Sequence, residues 1–427
     1  MAIQNNSPFI NFPYINNAMF AEQVDIAEIA SQVKTPFYCY SNEAIETSYL
    51  SYESAFKTQD ALICYAVKAN ANQAVLTTLA KLGSGADVVS EGEIRRAIAA
   101  GIPSHKIVYS GVAKSRDEIE YALSENIFQF NVESEPELAL ISEIAVKLNK
   151  VAAISFRINP NTHEKISTGK AENKFGVPIS KARLAYKTAA NLPGIKVQGV
   201  DVHIGSQLTE LAPFKLAYEK IAELVEQLRL DGHDINVVDI GGGLGITYND
   251  EKIPSVDEYA AVAQNALGHL QCKIIIEPGR SLLGNAGVLV SRVVYIKQGE
   301  ERDFLIIDIM IIDAGMNDLI RPSMYDAYHE ILAIKTNEKS PQKYDIVGPV
   351  CETGDTFAKG RSLTALQAGD LVAIMSCGAY GAVMSSTYNT RMLAPEVMVK
   401  GEQFSIIRDR IDYNSVIAND VIPSWLA

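Results

Sequence analysis

The sequence predicts an α/β protein: a (β/α)8 TIM-like barrel followed by a second, mostly antiparallel β-domain. Three observations carry this. Eight apolar runs rich in Val and Ile alternate with amphipathic segments between Leu62 and Glu277. The alternation breaks near Gly279. Beyond the break, short β-rich segments are separated by Gly, Pro, Asn and Asp turns.

Residues 1–35 read as a polar, irregular segment with a helical stretch over Val24–Gln32, joining the β-domain. Pro36–Tyr40 reads as a short strand, and Ser41 and Asn42 start a helix that runs to about Phe56. The eight apolar runs are Leu62–Val67, Ala86–Val89, Lys106–Tyr109, Ile127–Val132, Val151–Ile158, Ile195–His203, Ile235–Ile240 and Cys272–Glu277. Such runs suit strands buried on both faces of a parallel sheet. Between them lie helical patterns at Asn72–Leu82, Glu91–Ala100, Ser115–Ser124, Ser134–Leu148, Ser180–Asn191, Ala212–Asp231 and Ser255–Leu270. An open doubly wound sheet is the alternative; eight strands favour the barrel. The barrel is placed at 36–280 and the β-domain at 281–427, with strands at Gly287–Lys297, Asp303–Ile309, Tyr344–Val347, Leu371–Met375, Glu396–Val399 and Phe404–Ile407.

Composition narrows the function classes. The chain has 427 residues, 48% of them apolar, which allows a large core. A net charge of −13 argues against nonspecific nucleic-acid binding. No apolar window is long enough to cross a bilayer, and the first residues lack the pattern of a signal peptide. The five cysteines, at 39, 64, 272, 351 and 377, form no CxxC pair. They suggest neither a disulfide framework nor a zinc site, and no metal is expected. A reducing, cytoplasmic compartment follows as the expectation.

In a barrel the working residues sit at the carboxyl ends of the strands. The first strand ends in Lys68, where apolar walls would weaken solvation of the ammonium and make the amine a usable nucleophile. The second gives Asp87 and Ser90, the fifth Arg157, the sixth His203. The seventh runs into Gly241-Gly242-Gly243-Leu244-Gly245, whose backbone N–H groups suit a phosphate. The eighth ends in Glu277-Pro278-Gly279-Arg280. Each alone has a plain structural reading: a surface lysine, a packed histidine, a tight turn, a strand terminus. Together they describe a phosphate-bearing cofactor held by a lysine. Pyridoxal 5′-phosphate (PLP) fits, with its aldehyde for Lys68, its phosphate for the glycines and its ring nitrogen for a carboxylate.

Longer motifs extend this pattern. They are YAVKAN (65–70), GADVVSEGE (85–93), FRINP (156–160), NKFG (173–176), HIGSQ (203–207), DIGGGLGI (239–246) and EPGR (277–280). In the second domain stand DAGMNDLIRPSMYDAYHEI (313–331), GPVCETGD (348–355), GAYG (378–381) and SSTYN (385–389). With these motifs the chain resembles the diaminopimelate decarboxylase family, in the barrel-fold class of PLP enzymes that also holds ornithine and arginine decarboxylases and alanine racemase. Glu91 departs from the family pattern, which has glycine there, though an acid suits a helix start.

The resemblance implies roles for single residues. Lys68 would bond covalently to PLP and His203 would stack on its ring. Glu277 would pair with the ring nitrogen. Ser206, Gly241, Gly242, Gly243, Gly279 and Arg280 would hold the phosphate, with Tyr380 also at the cofactor. Arg280, Arg321, Tyr325, Glu352 and Tyr380 would form the substrate pocket. Cys351 would be the proton donor that one subunit of a homodimer lends to its partner. The reaction implied is decarboxylation of meso-diaminopimelate to L-lysine, the last step of lysine biosynthesis. A substrate with an ammonium and a carboxylate at its distal end calls for an acid and an arginine. Arg321 argues for that substrate over ornithine or lysine. A decarboxylase of ornithine, arginine or carboxynorspermidine, or a PLP-binding protein without decarboxylase activity, are the rival readings.

Overall fold

A computed structural model describes residues 10–161, 174–299, 301–302 and 305–426. Residues 1–9 of the N-terminal segment, Asn173 of the NKFG motif, and Asp303 and Phe304 lie outside the described residues. The described chain divides into two compact units. One takes Ile45–Thr247 and Glu251–Leu282; the other takes the chain on either side together with Tyr248–Asp250.

The first unit is the barrel. Its strands are Ala61–Ala66, Gly85–Val88, Ile107–Tyr109, Gln129–Val132, Ala152–Asn159, Ile195–Asp201, Val237–Asp239 and Lys273–Ile276. Each pairs in parallel with the next. The eighth returns to the first, with Ile274 opposite Ala61 and Ile276 opposite Ile63, so the sheet has no edge. Cys64, Val108, Val237 and Ile275 form one buried cluster. They come from the first, third, seventh and eighth strands. The first, third and seventh are not neighbours, so these side chains meet across the interior.

Sequence chemistry sets the helices. Ser115 and Ser255 close reciprocal caps with Glu118 and Glu258. Ser90 and Ser134 accept from backbone N–H groups three residues on. Each such cap contributes roughly 1 kcal/mol. Ser90 is the cap of the helix that begins at Glu91, whose carboxylate pairs with Arg95 at 2.6 Å.

The second unit is a mixed, mostly antiparallel sheet. The long strand Gly287–Lys297 organises it, pairing antiparallel with Phe37–Ser41, with Leu371–Ile374 and with Leu305–Ile312. Glu396–Lys400 lies parallel on the other side of Phe37–Ser41. Leu305–Ile312 and Gln342–Val347 are also parallel. Thr356–Leu363 and Ile331–Ala333 have no counterpart in the sequence reading. The first reads TFAKGRSL, without a regular apolar alternation; it is held by pairing with Gln342–Val347. Residues 14–25, expected to be irregular, form three short antiparallel strands. Runs of two to four residues are too short to show a period. Among the described residues, no helix is long and apolar enough to cross a membrane.

Candidate active site

The carboxyl ends of the barrel strands gather Lys68, Asp87, Arg157, His203, Gly241 to Gly243 and Glu277. The first strand stops at Ala66 and gives way to one tight turn, Val67–Ala69, that carries Lys68. The Lys68 ammonium lies 2.5 Å from the buried Asp87 carboxylate. The amine therefore meets a carboxylate and not the apolar walls that its strand-end position suggested. Asp87 lies near the end of the neighbouring strand, opposite Ala66, so sheet order alone brings the two together.

Gly279 explains how this turn is packed. A Cβ there would lie 3.0 Å from the Ala66 Cβ and 3.1 Å from the Ala69 Cβ. The end of the eighth strand thus rests directly on the Lys68 turn. The glycine run has the same logic. A Cβ on Gly242 would sit 2.2 Å from the Glu277 carbonyl oxygen, and Gly241 has φ of +63. Gly241 N–H donates to Asp239 Oδ1 at 3.0 Å, and Gly242 N–H donates to His203 Nδ1 at 3.3 Å. Two of the three N–H groups expected at a phosphate, those of Gly241 and Gly242, are thus engaged by the protein.

His203 is neutral. Loss of solvation, then the charges of Arg157 and Lys68, hold it well below the usual histidine range. Because Nδ1 accepts from Gly242, its proton sits on Nε2. Ser206, exposed, accepts from Arg280 Nε and Nη2 at 3.4 and 3.3 Å.

Beneath these groups lies a buried acidic cluster. Carboxylate oxygens of Asp201, Asp239 and Glu277 lie within 4.8 Å of one another. Burial, then repulsion from Asp239 and Asp87, pushes Glu277 well above the carboxylate range. Burial and Asp201 push Asp239 up to about 8. Asn131 Nδ2 knits the cluster, donating to Asp239 Oδ2 at 3.1 Å and to Glu277 Oε1 at 3.3 Å. Ser110 Oγ donates to the same Glu277 oxygen at 3.4 Å. Arg157 is bound to Glu133 at 3.0 Å. The sequence reading did not find Asn131, Ser110, Asp201 or Glu133. Polar residues inside apolar strands were the available signal.

The remaining predicted residues belong to the second unit. Arg321 and Tyr325 begin and end the short helix Arg321–Tyr325; Arg321 is buried and Tyr325 exposed. Cys351 and Glu352 are exposed on the turn Gly348–Asp355. That turn is built by Asp355, whose carboxylate accepts from Val350 N–H at 2.7 Å and Met316 N–H at 2.6 Å. Asn389 Oδ1 accepts from Cys351 N–H at 2.8 Å. Ser323 Oγ donates to the Gly354 carbonyl at 2.6 Å, tying the Arg321 helix to the Cys351 turn. Tyr380 is half-buried and has a positive φ of 57.

Residues 42–284 match the family model described as "Pyridoxal-dependent decarboxylase, pyridoxal binding domain". The diaminopimelate decarboxylase of Zymomonas mobilis is 46% identical over 98% of this chain and 100% of its own length. That of Haemophilus influenzae is 48% identical over 93% of this chain and 96% of its own. The chain belongs to the diaminopimelate decarboxylase family. Members of this family are PLP-dependent carboxy-lyases, and the barrel is a pyridoxal-binding domain. The solved diaminopimelate decarboxylase of "m. jannaschi" superposes with a TM-score of 0.93, at 39% identity over 98% of this chain and 100% of that one. The Helicobacter pylori enzyme, solved with L-lysine, gives 0.87 at 43% identity over 92% of this chain and 99% of that one.

The site suits PLP on its own terms. Asp87 Oδ1 and Asp201 Oδ1 are buried without a hydrogen-bond partner. The acidic cluster answers its own repulsion by holding protons, which a cationic ring nitrogen would relieve. The donors at Ser206, Gly243 and Arg280 suit an oxyanion.

Proposed function

We propose a division of labour by which this diaminopimelate decarboxylase removes one carboxylate of meso-2,6-diaminopimelate and leaves L-lysine. When bound, PLP supplies an electron sink for the charge left by the departing CO2. Lys68 holds the cofactor through Nζ. His203, neutral and flat, would lie against the ring. Glu277 would pair with the ring nitrogen. Ser206, Gly243, Gly279 and Arg280 would take the phosphate, with Gly241 and Gly242 shaping the turn beside them, and Tyr380 is assigned to the cofactor as well.

We assign the distal carboxylate of the substrate to Arg280 and Arg321 and its distal ammonium to Glu352, with Tyr325 and Tyr380 as further substrate-binding residues. Cys351 Sγ delivers the proton to the carbon that has lost CO2. Cys351 and Glu352 are exposed on their own subunit, which supports a homodimer in which each subunit completes its partner's site. The lysine pathway and the absence of paired cysteines support a cytoplasmic location.

The observation that carries the substrate is buried Arg321. A decarboxylase that makes a plain diamine has no distal carboxylate for an arginine to bind. Purified enzyme with PLP is expected to release lysine and CO2 from meso-diaminopimelate. Faster CO2 release from ornithine would sink the reading.

A further inference from the structure

Asn131 is a polar residue inside the fourth barrel strand, Gln129–Val132, and it is fully buried. Its amide is oriented from one side. Gln129 Nε2 donates to Asn131 Oδ1 at 2.7 Å. Gln129 Oε1 accepts in turn from Gln198 Nε2 at 3.0 Å and from Ser155 Oγ at 3.2 Å. Asn131 Nδ2 therefore faces the acidic cluster. It donates to Ser110 Oγ at 3.1 Å, to Asp239 Oδ2 at 3.1 Å and to Glu277 Oε1 at 3.3 Å. Two hydrogens serve three acceptors, so one is shared. The Asn131 carbonyl accepts from buried Lys114 Nζ at 2.8 Å, which fixes the backbone of the same residue. The fourth and eighth strands are opposite each other in the closed sheet, so the contact with Glu277 crosses the interior.

Ser110, just beyond the third strand, donates from Oγ to the same Glu277 oxygen at 3.4 Å. A carboxylate with two donors on one oxygen cannot turn freely about its last bond. Oε1 stays in the cluster, and Oε2 is given one direction. The kind of donor matters as much as the contact. A lysine or arginine at 131 would hold Oε1 but cancel the charge of Glu277. An acid there would add to the repulsion among Asp201, Asp239 and Glu277. A neutral donor steadies the carboxylate and leaves its charge for a cation.

We propose that Asn131, with Ser110, is a positioning residue for the reaction, holding Glu277 Oε1 so that Oε2 meets the ring nitrogen of PLP. This rests on the reading of Glu277 as the partner of that nitrogen.

The test reads binding by equilibrium dialysis. Cofactor-free protein is titrated with PLP and with 1-deaza-PLP, which carries a C–H where PLP has its ring nitrogen. The ratio of the two affinities is the readout. In Asn131→Ala the Kd for PLP is expected to rise about five- to tenfold, the worth of one hydrogen bond. The Kd for 1-deaza-PLP stays within about twofold. Ser110→Ala shifts the ratio the same way by about two- to threefold, and Ser110→Thr, which keeps the hydroxyl, restores it. Equal losses for both cofactors in Asn131→Ala would mean a merely structural role and overturn the proposal, as would an unchanged PLP affinity. Should Asn131→Ala fail to fold, Ser110→Ala decides: an unchanged ratio there overturns the proposal. Glu277→Gln separates the two readings. If it leaves the ratio unmoved, the ring-nitrogen reading falls and this inference with it. If it lowers the ratio while Asn131→Ala does not, this inference alone falls.

Discussion

Lys68 Nζ and Asp87 Oδ2 lie 2.5 Å apart at the ends of adjacent barrel strands. Asp87 holds the charged ammonium, whereas covalent capture of an aldehyde needs the free amine. Loading of PLP is therefore expected to quicken as pH rises. In Asp87→Asn, loading at neutral pH is expected to be about tenfold faster, the effect of removing one close opposite charge. Stopped-flow visible absorbance reads both rates. Lys68→Ala is expected to show no visible absorbance after desalting and to lose turnover by about a thousandfold or more. A yellow, active Lys68→Ala enzyme ends the assignment.

The acidic cluster makes the cofactor-free protein sensitive to pH. Asp239 titrates near 8 in the folded chain, because of burial and Asp201. In the unfolded chain it titrates near the ordinary aspartate value of about 4. Between these values the folded state binds more protons than the unfolded one, so stability falls as pH rises through that window. The Tm of cofactor-free protein is expected to be lower at pH 8 than at pH 5. Asp239→Asn is expected to flatten that slope. An unchanged slope in the variant would show that the cluster is not its source.

Gly242→Ala tests the close approach of the seventh and eighth strand ends. Its methyl would meet the Glu277 carbonyl oxygen at 2.2 Å, and backbone cannot swing aside as a side chain can. A loss of about 1–3 kcal/mol is expected in denaturant unfolding, with weaker PLP retention. A variant as stable as wild type would mean that the two strand ends separate freely.

The shared-site homodimer is tested by mixing. Lys68→Ala and Cys351→Ala are each expected to be inactive. Unfolded and refolded together, they are expected to recover on the order of a quarter of wild-type activity, from the mixed dimers that hold one intact site. No recovery, with mixed dimers confirmed by mass, would place Cys351 in its own subunit's site.

The barrel was readable because parallel strands buried on both faces are apolar runs, and each run sat within a few residues of its strand. Ser caps marked the helix starts. Thr356–Leu363 was not readable, since its pairing and not its own pattern makes it a strand. Lys68, His203 and Glu277 stood at strand ends, where a charged residue after an apolar run is visible. Asp87 was visible too, yet its bond to Lys68 depends on strand order. His329 lay within one of the longer motifs, but its contact with the Met375 carbonyl, 46 residues on, becomes visible only in the fold.

Phe37–Ser41 is five buried residues, flanked by Gly287–Lys297 on one side and Glu396–Lys400 on the other. Both neighbours are synthesised only after the whole pyridoxal-binding domain. On the ribosome this strand emerges before the barrel and finds its partners only after it. Until then its two edges offer unpaired backbone N–H and C=O groups to any other nascent chain. Premature termination before residue 396 leaves one of those edges open for good, so truncated products are expected to aggregate even when their barrel is whole.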